Sequence, residues 1–116
     1  INVEGSNVLI LGFTFKENCP DIRNTRIIDV VKELGNYSCN VDIFDPWVDA
    51  EEVEEEYGII PVSEIKAASY DAIIVAVGHE QFKKMGSTDI RGFGKDKHVL
   101  YDLKYILSPE QSDVRL

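Results

Sequence analysis

Val8-Leu-Ile-Leu-Gly-Phe-Thr-Phe-Lys-Glu-Asn-Cys-Pro-Asp-Ile-Arg-Asn-Thr-Arg26 is the stretch that decides the fold of this chain. Its first four residues are apolar and read as a buried strand. They run into Gly12 and then into a loop carrying an aromatic, a lysine and two arginines, before an amphipathic helix begins. In an open parallel α/β sheet, ligands bind outside the carboxyl ends of the strands, which is where such a loop must lie. A lysine and an arginine held there beside a helix N-terminus form a candidate anion site.

The rest of the chain extends this pattern. Asn24 or Thr25 can cap the first helix, whose Ile27, Val30, Val31 and Leu34 recur at helical spacing; Gly35-Asn36 is its stop. Val41, Ile43 and Phe44 make a second strand, ended by Asp45-Pro46 because proline cannot continue a ladder. The segment 48–57 reads as a short acidic helix closed by Gly58, residues 59–60 as a brief strand, and 63–68 as another short helix capped by Ser63. Residues 71–77, Asp-Ala-Ile-Ile-Val-Ala-Val, are a continuous apolar run of the kind covered on both faces. A helix holding Phe82 and Met85 follows Gly78-His79-Glu80, and residues 97–102 supply a last strand. Strands alternating with helices imply right-handed crossovers. The expected fold is α/β, a Rossmann-like three-layer sandwich with a mainly parallel sheet.

A chain of 116 residues with 44% hydrophobic content suits one compact domain. Its net charge of −9 argues against nucleic acid, whose binders show a basic face. Asp49, Glu51, Glu52, Glu54, Glu55 and Glu56 concentrate the acid in one segment, most simply a solvated helix face rather than a metal site. Cys19 and Cys39 fit neither a zinc pattern nor a Cys-x-x-Cys pair; free thiols in a reducing cytosol are expected, with a bridge between them as the alternative. No apolar run approaches the roughly 20 residues of a membrane span. The chain starts at Ile1 without a methionine, so it is expected to be a piece of a longer protein in the cytoplasm.

A strand–glycine–helix opening raises dinucleotide binding. That fingerprint is G-x-G-x-x-G, whose glycines allow the tight turn and the approach of backbone to pyrophosphate. Here Thr14 and Glu17 stand at the second and third glycine positions, and the loop is too long, with Pro20 inside it. Asp45 stands where a ribose-binding acid would be, but Pro46 behind it indicates a strand-terminating turn. The architecture is that of a dinucleotide domain without the cofactor site. His79 follows a strand end, with no orienting acid or nucleophile beside it in sequence, and reads as a helix-start residue.

The loop Gly12-Phe-Thr-Phe-Lys-Glu-Asn-Cys-Pro-Asp-Ile-Arg-Asn-Thr25 resembles the G-[LF]-[AT]-F-K-x-[ND]-x-x-D-x-R-[ND]-[ST] signature that opens the C-terminal domain of UDP-glucose/GDP-mannose dehydrogenases. Phe44-Asp45-Pro46, the 71–79 strand with Glu80-x-Phe82, Tyr101-Asp-Leu-Lys104 and Asp113-Val-Arg-Leu116 agree with that family, although it usually ends on Asp-Gly-Arg. Trp47 and the Asp-x-Arg-Leu ending look most like its UDP-N-acetylhexosamine 6-dehydrogenase branch. The resemblance implies a UDP-sugar-binding C-terminal domain, residues 1–116, in an enzyme that oxidises a C6 alcohol to an acid for surface polysaccharide precursors. NAD would bind to the enzyme's own N-terminal domain and the catalytic cysteine would lie in its central region, so this chain contributes no catalytic residue and no metal ligand. The complete enzyme is expected to be a homo-oligomer.

Carried over by residue, the resemblance makes Phe15, Lys16 and Arg115 substrate-binding, with Asp21, Arg23 and Asp113 as structural support. Arg23 pairs with Asp21 in this reading, Asp113 helps place Arg115, and Cys19 is not the catalytic thiol. The competing reading is a stand-alone Rossmann-like regulatory or interaction module. A response-regulator-like phosphate enzyme would need an acid cluster at the strand ends, of which Asp45 and Lys104 give a faint echo.

Overall fold

The computed structural model describes residues 4–115, with side chains through residue 114. Elements alternate along the chain: β1 (Asn7–Leu11), α1 (Ile27–Asn36), β2 (Asn40–Phe44), α2 (Ala50–Tyr57), β3 (Tyr70–Val75), α3 (Glu80–Arg91), β4 (Gly94–Asp102), a 3-10 turn (Pro109–Gln111) and β5 (Val114–Arg115). The strands form one sheet in the order β2-β1-β3-β4-β5. Every described pairing is parallel; Leu9, for example, lies between Asp42 of β2 and Ile73 of β3.

The apolar runs of β1 and β3 feed two cores at once because successive side chains point to opposite faces. Leu9, Leu11, Ile73, Val75 and Leu100 pack with Phe82 and Ile90 of α3 on one face. Val8, Ile10 and Ile43 meet Val53 of α2 and the apolar stripe of α1 on the other. That is the three-layer Rossmann-like sandwich read from the sequence. Ile73 is fully buried at its centre, so Ile73→Ala is expected to lower the unfolding free energy by about 2–5 kcal/mol in a denaturant titration.

Local chemistry sets the helix ends. Thr25 Oγ1 accepts the Ile27 N–H at 3.2 Å and donates to the Phe13 carbonyl at 2.6 Å, tying the start of α1 back to the loop. Asp49 caps α2 by accepting the Glu51 N–H at 3.0 Å. Within α3, Gly86 adopts φ 69 and ψ 176, dividing the helix in two.

Two sequence expectations are corrected, and one strand is added. Residues 59–60 form no strand: Pro61 has no N–H to give a ladder, Ile60 is exposed, and the pairing is reduced to the Val62 N–H on the Ile43 carbonyl at 2.8 Å. Residues 63–68 form turns, since six residues hold too few hydrogen bonds to offset helix nucleation and Ala68 sits at φ 52. β5 was not expected, because two residues leave no periodic trace; the Asp113 carboxylate secures it by accepting the Leu100 N–H at 2.8 Å. Both cysteines are free thiols.

Candidate functional site

From β1 the chain moves outward to β2 and then returns to place β3 on the other side of β1. The loops leaving the carboxyl ends of β1 and β3 therefore diverge, one toward each face, and a crevice opens between them. This is the switch point at which open α/β sheets bind ligands. The Lys16 loop follows β1, and Ala76-Val77 follow β3 with their N–H groups on the Leu11 carbonyl at 2.9 and 3.3 Å.

Asp45, at the end of β2, organises that loop. Its Oδ2 accepts the Phe13 N–H at 2.7 Å, the Thr14 N–H at 3.2 Å and His79 Nε2 at 2.9 Å, while Oδ1 accepts the Trp47 N–H at 2.8 Å. Both the Asp45 and His79 side chains are wholly buried. Burial pushes the Asp45 carboxyl upward, but the hydrogen bonds from His79 and the Phe13 and Trp47 amides outweigh it and hold the acid below its ordinary value. Asp45 is thus committed to holding the loop and is not available to a ribose. The orienting acid that no sequence neighbour of His79 supplies arrives from 34 residues away. At the end of β4, Asp102 plays a matching part, accepting the Lys104, Ile106 and Leu107 N–H groups at 3.3, 3.2 and 2.8 Å.

Fixing these loops leaves a hollow of about 180 Å³ lined by Thr14, Phe15, Lys16, Glu17, Arg26, Ile27, Ala76, Val77 and Lys104. Three cations, Lys16, Arg26 and Lys104, stand round it, and among the described residues none is in an ion pair. The N-terminus of α1 opens onto the same space at Ile27, adding the positive end of the helix dipole to the field. Two larger hollows lie elsewhere. One, of about 550 Å³, is at the opposite end of the sheet around Gly5, Asp71 and Lys95; the other, about 370 Å³, is an apolar trough against Ala72, Ile74 and Tyr101. Neither combines unpaired cations with a helix N-terminus, so of these three hollows the one beside Lys16 has the chemistry of an anion site.

Of the residues singled out in the sequence, Phe15 and Lys16 reach this hollow; Phe15 is 57% exposed although it is a large apolar ring. Asp21 and Arg23 pair at 3.1 Å, with Arg23 Nε and Nη2 both on the carboxylate, and the guanidinium holds the Asp21 carboxyl below its ordinary value. Asp113 is engaged by Arg91 at 3.1 Å and by the Leu100 amide, which keep its carboxyl low as well. Arg115 pairs with Asp102 in the β4–β5 register, at the carboxyl edge of the sheet, and its side chain lies outside the described residues. The sequence reading passed over Arg26 and Lys104 as ligand contacts. Both carry the positional signal that mattered for Lys16: Arg26 precedes a helix and Lys104 follows a strand end.

Among the described residues no group of three or more His, Cys, Asp or Glu side chains could hold a metal ion, and no helix is long and apolar enough to cross a membrane.

Comparison with known proteins identifies the family. Two UDP-N-acetyl-D-glucosamine 6-dehydrogenases, from Salmonella typhi and Pseudomonas aeruginosa, are 87% and 56% identical to the chain over all of its 116 residues. The chain spans only 27% and 28% of their lengths. Among solved structures, the NDP-N-acetyl-D-galactosaminuronic acid dehydrogenase of Methanosarcina mazei Go1 superposes with a TM-score of 0.80. That match covers 95% of this chain and 23% of the other at 22% identity, a likeness of fold. Residues 9–109 match the UDP binding domain of one enzyme family. The chain belongs to the UDP-glucose/GDP-mannose dehydrogenase family.

Proposed function

We propose that this domain holds the diphosphate of a UDP-sugar within an NAD-dependent UDP-sugar 6-dehydrogenase, which oxidises the C6 alcohol to a carboxylate and supplies a surface polysaccharide precursor. Residues 1–116 are the C-terminal, UDP-sugar-binding domain of that enzyme. NAD is held by the enzyme's own N-terminal domain, since Gly12 alone does not make a dinucleotide turn. The complete enzyme works in the cytoplasm as a homo-oligomer.

The observation that carries this reading is the trio of unpaired cations around the switch-point hollow. Lys16 and Lys104 are compact, mobile charges suited to phosphate oxygens; Arg26 offers a planar fork beside the start of α1. Phe15 presents an exposed ring at the rim, where a sugar or base can lie against it. Arg115 adds a further cation from the carboxyl edge, while the Asp21–Arg23 pair and Asp113 brace the surroundings. Size sets a limit: about 180 Å³ accommodates a diphosphate, whereas sites for whole small molecules span roughly 300–1,000 Å³. The remaining wall must come from the rest of the enzyme.

UDP titrated calorimetrically into the complete enzyme tests this. Lys16→Ala and Lys104→Ala are each expected to weaken UDP about tenfold, the loss of one charge-assisted hydrogen bond worth about 1.5 kcal/mol or more. Unchanged affinity in both variants would remove the diphosphate from this hollow.

A further inference from the structure

The ring of His79 is buried at the junction of the Lys16 loop, the end of β2 and the start of α3, and nothing in the proposed chemistry uses it. Its hydrogen bonds determine its protonation. Nδ1 lies 2.9 Å from the backbone nitrogen of Asn18. A backbone N–H can only donate, so Nδ1 is an acceptor and carries no hydrogen. The ring hydrogen is therefore on Nε2, which lies 2.9 Å from Asp45 Oδ2 and 3.1 Å from Thr14 Oγ1. Thr14 commits its own hydroxyl hydrogen to the Lys16 carbonyl at 2.9 Å, leaving its oxygen free to accept. One arrangement of hydrogens satisfies every partner: a neutral ring with Nε2–H.

The segment held in this way is the one that carries the ligand contacts. Phe15, Lys16 and Glu17 are all exposed, so no buried apolar side chain anchors them. Polar ties hold the bulge: the Phe15 N–H on the Asp21 carbonyl at 2.9 Å, the Thr14 hydroxyl on Lys16, and Asn18 at the far end. Asn18 is clasped twice, since its N–H reaches His79 and its Oδ1 accepts the Glu80 N–H at 2.9 Å. It also sits at φ 56, a left-handed conformation that needs such support. The charged groups around the ring are few. Asp45 touches it, and Glu80, next in sequence, is paired with Lys83 at 3.8 Å; the other walls are the rings of Trp47 and Phe82 at 6.1 and 5.5 Å.

We infer that His79 is a positioning residue for diphosphate binding: as the Nε2–H tautomer it pegs the Phe15-Lys16-Glu17 bulge to the ends of β2 and β3, fixing where the Lys16 ammonium stands. This rests on the diphosphate reading of the same loop. It goes beyond that reading by assigning function to a buried side chain that touches no ligand.

Two variants of the complete enzyme test it, with UDP as the binding probe. His79→Phe keeps the ring volume and removes both nitrogens; it is expected to weaken UDP about tenfold and to raise KM for the UDP-sugar while kcat stays within about twofold. His79→Gln restores an acceptor for Asn18 and a donor for Asp45, and is expected to recover most of that loss. If His79→Phe binds UDP like the wild type while Lys16→Ala does not, the site stands and the role of His79 is wrong. Unaltered binding in Lys16→Ala as well would end the diphosphate reading, and this inference with it. If His79→Phe and His79→Gln both lower the melting temperature and kcat while KM is unmoved, the ring is only structural and the inference fails. Should neither variant fold, the wild-type chain decides by nitrogen-15 NMR. A scalar coupling across the N–H···N bond from Asn18 to an unprotonated His79 Nδ1 is expected, and its absence, or a protonated Nδ1 at neutral pH, overturns the assignment.

Discussion

Gly12→Ala lowers the unfolding free energy by about 2–6 kcal/mol, the expected cost of a strained backbone plus an overpacked contact. Gly12 follows β1 at φ +106, a conformation that L side chains rarely adopt. A Cβ there would stand 2.6 Å from Val77 Cβ and 2.8 Å from the Val77 backbone nitrogen. A flexible side chain could swing aside, but the Val77 backbone is tied to the Leu11 carbonyl and cannot move without opening the sheet. Domains of this size are stable by only about 5–15 kcal/mol, so the change removes a large part of the total. A denaturant midpoint equal to that of the wild type would mean that β1 and the end of β3 do not approach as described. The same substitution displaces the start of the Lys16 loop, so any folded fraction should also lose affinity for UDP.

The second large effect belongs to Asp45. Asp45→Ala leaves the Phe13, Thr14 and Trp47 N–H groups without their carboxylate acceptor and His79 Nε2 with Thr14 Oγ1 alone. Each buried donor left without an acceptor costs about 1–3 kcal/mol, so losing several at once is expected to lower the denaturant midpoint strongly. The exposed Arg23–Asp21 pair makes the contrast: Arg23 is 82% exposed, and its substitution is expected to leave the denaturant midpoint unchanged. Asp45 also gives stability a pH dependence. Its folded carboxyl sits below the ordinary value of 3.8. The stability it contributes is therefore complete above that value and drains away as pH falls through the lower, folded one. Asp45→Asn should flatten that acid limb while leaving the shape near neutral pH alone; an unaltered limb would assign acid sensitivity to other carboxylates.

Much of the fold was legible because its signals are local. Four apolar residues ending at Gly12, the 71–77 run and the Gly58 end of α2 each declare themselves within a few positions. What stayed hidden depends on distant partners. β5 forms because Asp113 reaches the Leu100 amide, and no stretch of two residues can announce that. The reading of 63–68 as a helix failed because composition favoured it while its length did not. For the site, Phe15 and Lys16 were visible through the loop motif. The approach of Arg26 and Lys104 needed the strand order, which sets the end of β4 beside the end of β3. His79 looked solitary because its acid partner lies across two strands of the sheet, and only the fold brings them together.

The break at Gly86 separates two duties within α3. Its leading half starts at the His79 peg, and its trailing half carries Arg91, whose guanidinium grips Asp113 and the Gln111 carbonyl beside β5. A continuous rod would transmit any tilt of the tail straight to the ligand loop. With the helix broken at Gly86, the geometry of the leading half is not rigidly tied to that of the tail. The two ends of one helix are free to answer to different neighbours.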